Sequence, residues 1–146
     1  MTDEICDSLL EAWLSLSAAV RNERIVQTMT FREVFVCGIL YRAQSSKHDI
    51  AASDIVRRTG MLKSQVNKVL YALEGRGLIT RERSEEDHRF ILIRLTSKGS
   101  SAYEKEHAHV LIILQQLTGR LGEKETETLV HELNNVSEIM ADISSD

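Results

Sequence analysis

Apolar residues recur along this chain with a helical rhythm at both ends and a strand-like one in the middle. From Asp3 to about Gln27, Ile5, Leu9, Trp13, Leu16 and Val20 fall at steps of three and four, so one long helix carries them on one face. Thr30 followed three residues later by Glu33 is a capping box, and Val34, Phe35, Val36, Ile39 and Leu40 continue into a second helix reaching about Gln44. Residues Val34 to Leu40 are apolar nearly all round, which predicts a buried helix. Ser45 to Asp49 is a polar loop. A third helix spans about Ala52 to Thr59, with Ile55 and Val56 inward and Gly60 as its stop. A fourth starts near Lys63 and runs to Gly75-Arg76-Gly77. Its Val66, Val69, Leu70 and Leu73 share one face, so Ser64, Gln65 and Lys68 point the other way. Gly77 suits the left-handed position past a helix end.

Leu78 to Arg83 then reads as a strand, Ser84 to His88 as a polar turn, and Arg89 to Leu95 as a second strand, together an antiparallel hairpin. Thr96 caps another helix to about Thr118. Gly119 to Gly122 is a break, and Glu123 to Ser144 forms the last helix. The predicted fold class is mostly α with a small β-hairpin wing. A winged helix-turn-helix lobe occupies residues 50–98. The helices at 3–44 and 99–144 flank it and add to the core within a single subunit of residues 1–146.

Charge sharpens this picture. The chain of 146 residues has a formal net charge of −4, yet Arg57 to Arg83 holds seven Lys or Arg against Glu74 and Glu82, a local charge of +5. From Gly99 onward nine acids face Lys105, Arg120 and Lys124, a local charge of −6. A polyanion, most often nucleic acid, is therefore expected to meet the middle of the chain and avoid its two acidic ends. The absence of proline leaves nothing to force a kink in the helices. With two unpatterned cysteines, no signal-like start and no apolar run of membrane length, a cytoplasmic protein without a disulfide framework is expected.

Two helices joined by a glycine-containing turn and followed by a hairpin form a DNA reader. The major groove, about 12 Å wide, admits one helix whose first residues meet base edges. Ser64, Gln65, Asn67 and Lys68 supply hydroxyl, amide and ammonium groups there. Lys63, Lys68, Arg81 and Arg83 are expected at phosphates, and a hairpin-tip Arg suits the negative potential of the minor groove.

The motifs Asp54-Ile55, Lys63-Ser64-Gln65-Val66-Asn67, Leu73-Glu74 and Gly77-Leu78-Ile79-Thr80-Arg81 occur in order. They are followed by Asp87-His88-Arg89 and Leu95-Thr96-Ser97-Lys98-Gly99. This set resembles the MarR family of bacterial transcription regulators. Its wing typically carries Asp-x-Arg, and its second wing strand typically runs into Leu-Thr-x-x-Gly. The resemblance implies a homodimer built by the first and last two helices, and an effector or redox signal that alters the spacing of two DNA-reading lobes. It makes Arg89 the wing-tip arginine and Asp87 the residue that holds it. Leu62 departs from the pattern, standing where a polar N-cap is usual, a loss of about 1 kcal/mol. Independently, Leu129, Leu133, Val136, Met140 and Ile143 step by four and three, an a/d seam suited to a second copy or to the preceding helix.

Other chemistry is sparse. His107 and His109 lie two apart on a helix and face different ways. Glu106 with His109 has the spacing to share an ion, but the second-helix positions that metal-sensing relatives use are Val34 and Phe35. No metal or cofactor is expected. No catalytic motif is present, so an enzyme is not expected. Trp13, Phe31 and Phe35 are candidates to line a pocket for a small aromatic or anionic effector. The expected function is a sequence-specific DNA-binding regulator, a repressor relieved by an effector, bound to a pseudopalindromic operator. The alternatives are redox sensing through Cys6, which lies as far before the second helix as the reactive cysteine of hydroperoxide sensors in the resembled family, and a winged helix used only to bind protein.

Overall fold

The computed structural model describes residues 2–22 and 25–145. In chain order it has α1 (Asp3–Asn22), α2 (Phe31–Ser45), α3 (Ala52–Thr59), α4 (Lys63–Gly75), β1 (Ile79–Arg83), β2 (Ile91–Leu95), α5 (Ser97–Leu121) and α6 (Glu123–Ile143). The fold class is the expected one: a helical chain with one hairpin, in the arrangement of a winged helix.

Local chemistry fixes each element of the lobe. Thr30 Oγ1 accepts from Glu33 N at 3.1 Å and Glu33 Oε1 accepts from Thr30 N at 2.9 Å, the full capping box that starts α2. The helix then buries every residue from Val36 to Leu40. Ala51 and Leu62 precede α3 and α4 without a side chain able to accept. Only the reciprocal half of the box is made there, by Asp54 Oδ2 from Ala51 N at 2.9 Å and by Gln65 Oε1 from Leu62 N at 3.1 Å. Gly60 and Gly77 take φ of +70° and +72°, the left-handed stops expected after α3 and α4.

β1 and β2 pair antiparallel, from Ile79 opposite Leu95 to Arg83 opposite Ile91. The loop after α2 adds to this ladder, with Ile93 N donating to Ile50 O at 2.7 Å and Ala51 bridging Leu92. The second strand begins at Ile91 rather than Arg89, because Arg89 and Phe90 still belong to the turn. Phe90 N donates to Asp87 O at 3.0 Å and Arg89 N to Asp87 Oδ1 at 3.1 Å.

The Leu95–Gly99 motif has a mechanical reading. Thr96 N donates to Leu78 O at 3.0 Å, Thr96 Oγ1 donates to Gly77 O at 2.7 Å, and the same hydroxyl accepts from Gly99 N at 3.0 Å. One residue thus caps α5 and pins it to the entry of β1. The approach is so close that a Cβ on Gly99 would collide with Leu78 O.

Three further boundaries differ from the sequence reading. The first helix was expected to reach about Gln27. Its described part ends at Asn22, residues 23 and 24 lie outside the described residues, and from Ile25 to Met29 the chain is not helical. The cause lies far along the sequence. The buried Glu106 carboxylate on α5 accepts from Gln27 N at 3.0 Å, Thr28 N at 2.9 Å and Met29 N at 2.7 Å, turning three amides toward itself. Farther on, α5 continues through Gly119 to Leu121, and the break narrows to Gly122 at φ +94°. Finally, β1 starts one residue later than expected, at Ile79.

The core is Met29 with residues of α2, α3, α4, both strands and the first turns of α5 down to Tyr103. Among the described residues, α1 and α6 bury none. Among the described residues, no helix is long and apolar enough to cross a membrane.

Candidate nucleic-acid interface

α4 is two-faced. Val66, Val69, Leu70 and Leu73 are buried, while Lys63, Ser64, Asn67 and Lys68 are exposed together on the opposite side. Gln65 differs from its neighbours. It is half-buried, and its carboxamide oxygen is already accepting at the helix start, so this residue spends itself on holding the N-terminus of α4. Leu62 beside it is exposed and neither caps nor packs.

The four cations expected at phosphates divide into two pairs. Lys63 and Lys68 have no ion-pair partner among the described residues and are open to solvent. Arg83 Nη1 donates to His88 O at 2.6 Å and so helps close the hairpin. Arg81 lies beside Glu74, Nε to Oε2 at 3.7 Å, with that nitrogen buried and lacking a hydrogen-bond partner. Two other members of the basic run are also committed. Arg57 pairs with Asp54 at 2.7 Å. Arg76 reaches away from the helix face to Glu33, at 3.1 Å, and to Thr28 O, at 3.0 Å. Burial, with the Glu33 charge adding to it, pushes the nearby Cys37 thiol up to about 12 despite Arg76, so this cysteine stays protonated.

The wing tip is built around Asp87 and Arg89. Arg89 Nε donates to Asp87 Oδ1 at 3.0 Å and Nη2 to Oδ2 at 2.9 Å, a bidentate fork, while Arg89 N also donates to Oδ1. The guanidinium, and then the Arg89 amide, hold the Asp87 carboxyl below its ordinary value, and Asp87 in turn raises Arg89. Even so, the Arg89 side chain is 86% exposed, so it is held in direction and remains open to a partner.

The remaining expected groups sit outside this face. Trp13, Phe31 and Phe35 are each about half-exposed and line neither of the two described clefts. One cleft, of about 340 Å³, lies between the end of α2 and β2, and the other, of about 440 Å³, beside the α5–α6 turn. Leu129, Leu133, Val136, Met140 and Ile143 are all exposed along α6. Glu106, spaced to share an ion with His109, has its carboxylate engaged by the amides of residues 27–29. No group of three or more potential metal ligands occurs among the described residues.

Sequence reasoning missed two structural joints, Glu106 and Arg76. Nothing local marks either, since their partners lie dozens of residues away. It also passed over Tyr71, which falls seven residues after Ser64 on the exposed face of α4 and was legible from that spacing.

Comparison with known proteins agrees with this architecture. In Bacillus subtilis (strain 168), the uncharacterized HTH-type transcriptional regulator YdgJ is 27% identical over 107 residues, a match that covers 70% of this chain and 63% of YdgJ. Among solved structures, Bordetella bronchiseptica BpsR superposes with a TM-score of 0.72 at 24% identity, covering 90% of this chain and 91% of BpsR. The Staphylococcus aureus MepR–DNA complex gives 0.69 at 22% identity, covering 96% and 99%. At these identities the structural likeness is one of fold. Residues 24–105, more than half of the chain, match the family described as transcriptional regulator SarA/Rot. The chain belongs to the SarA/Rot family of transcriptional regulators, on the MarR-type winged-helix fold that its wing motifs resemble.

Proposed function

We propose that this protein binds duplex DNA sequence-specifically, as a homodimer on a pseudopalindromic operator in the cytoplasm, and that it is a repressor relieved by an effector. The observation that carries the reading is the juxtaposition of two free groups. A helix exposes Lys63, Ser64, Asn67 and Lys68, and a wing beside it carries Arg89 fixed by Asp87 yet open to solvent. A wing that only docked protein would have no need of either. The exposed apolar seam of α6 supplies the surface for a second copy. The fold relative MepR is known as a DNA complex, and DNA binding by BpsR is regulated by 6-hydroxynicotinic acid. By analogy, the effector is a small aromatic or anionic molecule docking near Trp13, Phe31 and Phe35.

Selection of bound fragments from random DNA, followed by titration of the recovered duplex at several salt concentrations, tests the reading. Affinity should fall linearly in log–log form with salt. Lys68→Ala should weaken binding and reduce the slope by about one if Lys68 sits on a phosphate. Binding indifferent to salt would refute the electrostatic part. A panel of phenolic acids, scored by operator affinity and Trp13 fluorescence, tests the effector.

A second reading, relief by oxidation, has one observation in its favour, the exposure of Cys6. Peroxide treatment of wild type and Cys6→Ser in the same binding assay decides it. Equal responses of the two proteins exclude it.

A further inference from the structure

We propose that Tyr71 is a base-reading residue whose ring lies against the C5-methyl of a thymine in the major groove. The inference rests on the DNA-binding function proposed above and adds to it one residue and one base.

Ser64, Asn67, Lys68 and Tyr71 are spaced three, one and three apart, which aligns them on a single face of α4. The opposite face is sealed in the core, so this is the face α4 can offer to a groove. Tyr71 is 76% exposed, the highest value among the large apolar side chains of the chain's described residues. The fold makes no use of the ring. It stacks on no other aromatic group, and its hydroxyl has no hydrogen-bond partner among the described residues.

The surroundings also leave the ring room. One turn onward is Gly75, which has nothing within 4 Å of the position a Cβ would take. Glu74, the other neighbour on that side, is drawn toward Arg81. An exposed tyrosine here gains nothing for folding, whereas any residue could have filled the position.

The major groove presents polar donors and acceptors and one apolar group, the thymine methyl. Ser64, Asn67 and Lys68 match the polar edges, and Tyr71 is the one large apolar side chain on their face. Seven residues separate Ser64 from Tyr71, an axial distance of about 10.5 Å at the helical rise, comparable to the width of the groove. A tyrosine also reaches farther from the helix axis than serine or asparagine, so the ring meets a base from two turns inside the helix.

The test removes the methyl and nothing else. A duplex recovered by selection with the full-length protein is remade with single thymines replaced by deoxyuridine. Wild type and Tyr71→Phe should each lose about fourfold in affinity at one thymine per half-site, the scale of one buried methyl-sized group. Tyr71→Ala should bind more weakly and be insensitive to that replacement, with an unchanged circular dichroism spectrum. If no thymine is sensitive in wild type, or Tyr71→Ala keeps the sensitivity, the inference is overturned while DNA binding stands. A tenfold loss in Tyr71→Phe with no thymine effect would assign the hydroxyl to a phosphate instead, and also overturns it. Failure of the wild type to select any duplex removes the DNA-binding reading and this inference together.

Discussion

The lobe and the helices that flank it solve the burial problem in opposite ways. In the lobe, α2, α3, α4, the hairpin and the first turns of α5 bury their apolar face within one chain, and every helix start is capped or half-capped. In the flanking region, α1 and α6 bury nothing among the described residues and leave Ile5, Leu9, Trp13, Leu133 and Met140 open. Exposed apolar stripes of that length are what the proposed second copy would cover. The difference assigns roles. The lobe closes its own core, while the flanking helices leave their apolar faces to the proposed second copy. Glu106 joins the two, since it sits on α5 and grips the linker that feeds α2.

The largest expected effect breaks the flanking half. Leu133→Glu combined with Val136→Glu places two charges in the α6 seam, and should abolish self-association or unfold the chain. Sedimentation at micromolar concentration reads the outcome. A wild-type chain that already sediments as a monomer would remove the second copy, and with it this account of the exposed seam.

Two glycines sharpen the contrast within one helix. Gly99→Ala forces a methyl against the Leu78 carbonyl, a backbone group with little room to give. Overpacking of that kind should cost about 3 kcal/mol in urea unfolding. Gly119→Ala, also in α5 but with nothing within 4 Å of the new Cβ, should instead gain up to about 1 kcal/mol from helix propensity. Equal effects at the two sites would mean that α5 is not pinned at its start and free along its later turns.

Glu106→Gln tests the joint. The carboxylate accepts from three consecutive amides in a buried site, and hydrogen bonds to a charged group are worth more than neutral ones. Loss of the charge should cost about 2 kcal/mol of stability with the denaturant slope unchanged. A stability equal to wild type would show that the linker is held by packing alone.

Much of the lobe was legible because its signals are local. Thr30 with Glu33, Gly60, Gly77, Thr96 and the Asp87–Arg89 spacing each act within a few residues. The apolar periods of α2 and α4 place their faces without help. What the sequence could not display were partners brought close only by folding. The end of α1 depends on a carboxylate nearly eighty residues away, and Arg76 serves Glu33 rather than a polyanion. A run of positive charge also cannot announce which members are already spent. Arg81 and Arg83 counted toward the basic patch, yet one lies beside Glu74 and the other closes the hairpin. Gln65 reads as a base-contacting amide until the missing cap at Leu62 is weighed against it. An apolar Leu62 at that position leaves the helix start in need of a substitute, and Gln65 supplies it.

The smallest expected effect on folding concerns a residue that contributes to neither half of the comparison energetically. Arg89 is almost fully exposed, and its pair with Asp87 is a surface ion pair, so Arg89→Ala should leave unfolding and self-association as they are. Its cost should appear only on DNA. A guanidinium already oriented by a bidentate fork loses less freedom on entering a narrow minor groove than a free one does. Arg89→Ala should therefore weaken operator binding at least tenfold, and Asp87→Ala less, because the guanidinium remains and only its bracing is lost. The pH dependence has a definite sign. Arg89 depresses the Asp87 carboxyl below its ordinary value. The brace is thus intact from neutral pH down through the ordinary carboxylate range, and is lost as pH falls below it through the depressed value. Titration of the Asp87 carboxyl by NMR should follow that course in wild type and rise toward the ordinary range in Arg89→Ala, where only the amide of residue 89 still donates to it. If Arg89→Ala binds the selected operator like wild type at physiological salt, the wing is a structural hairpin and α4 alone reads the site.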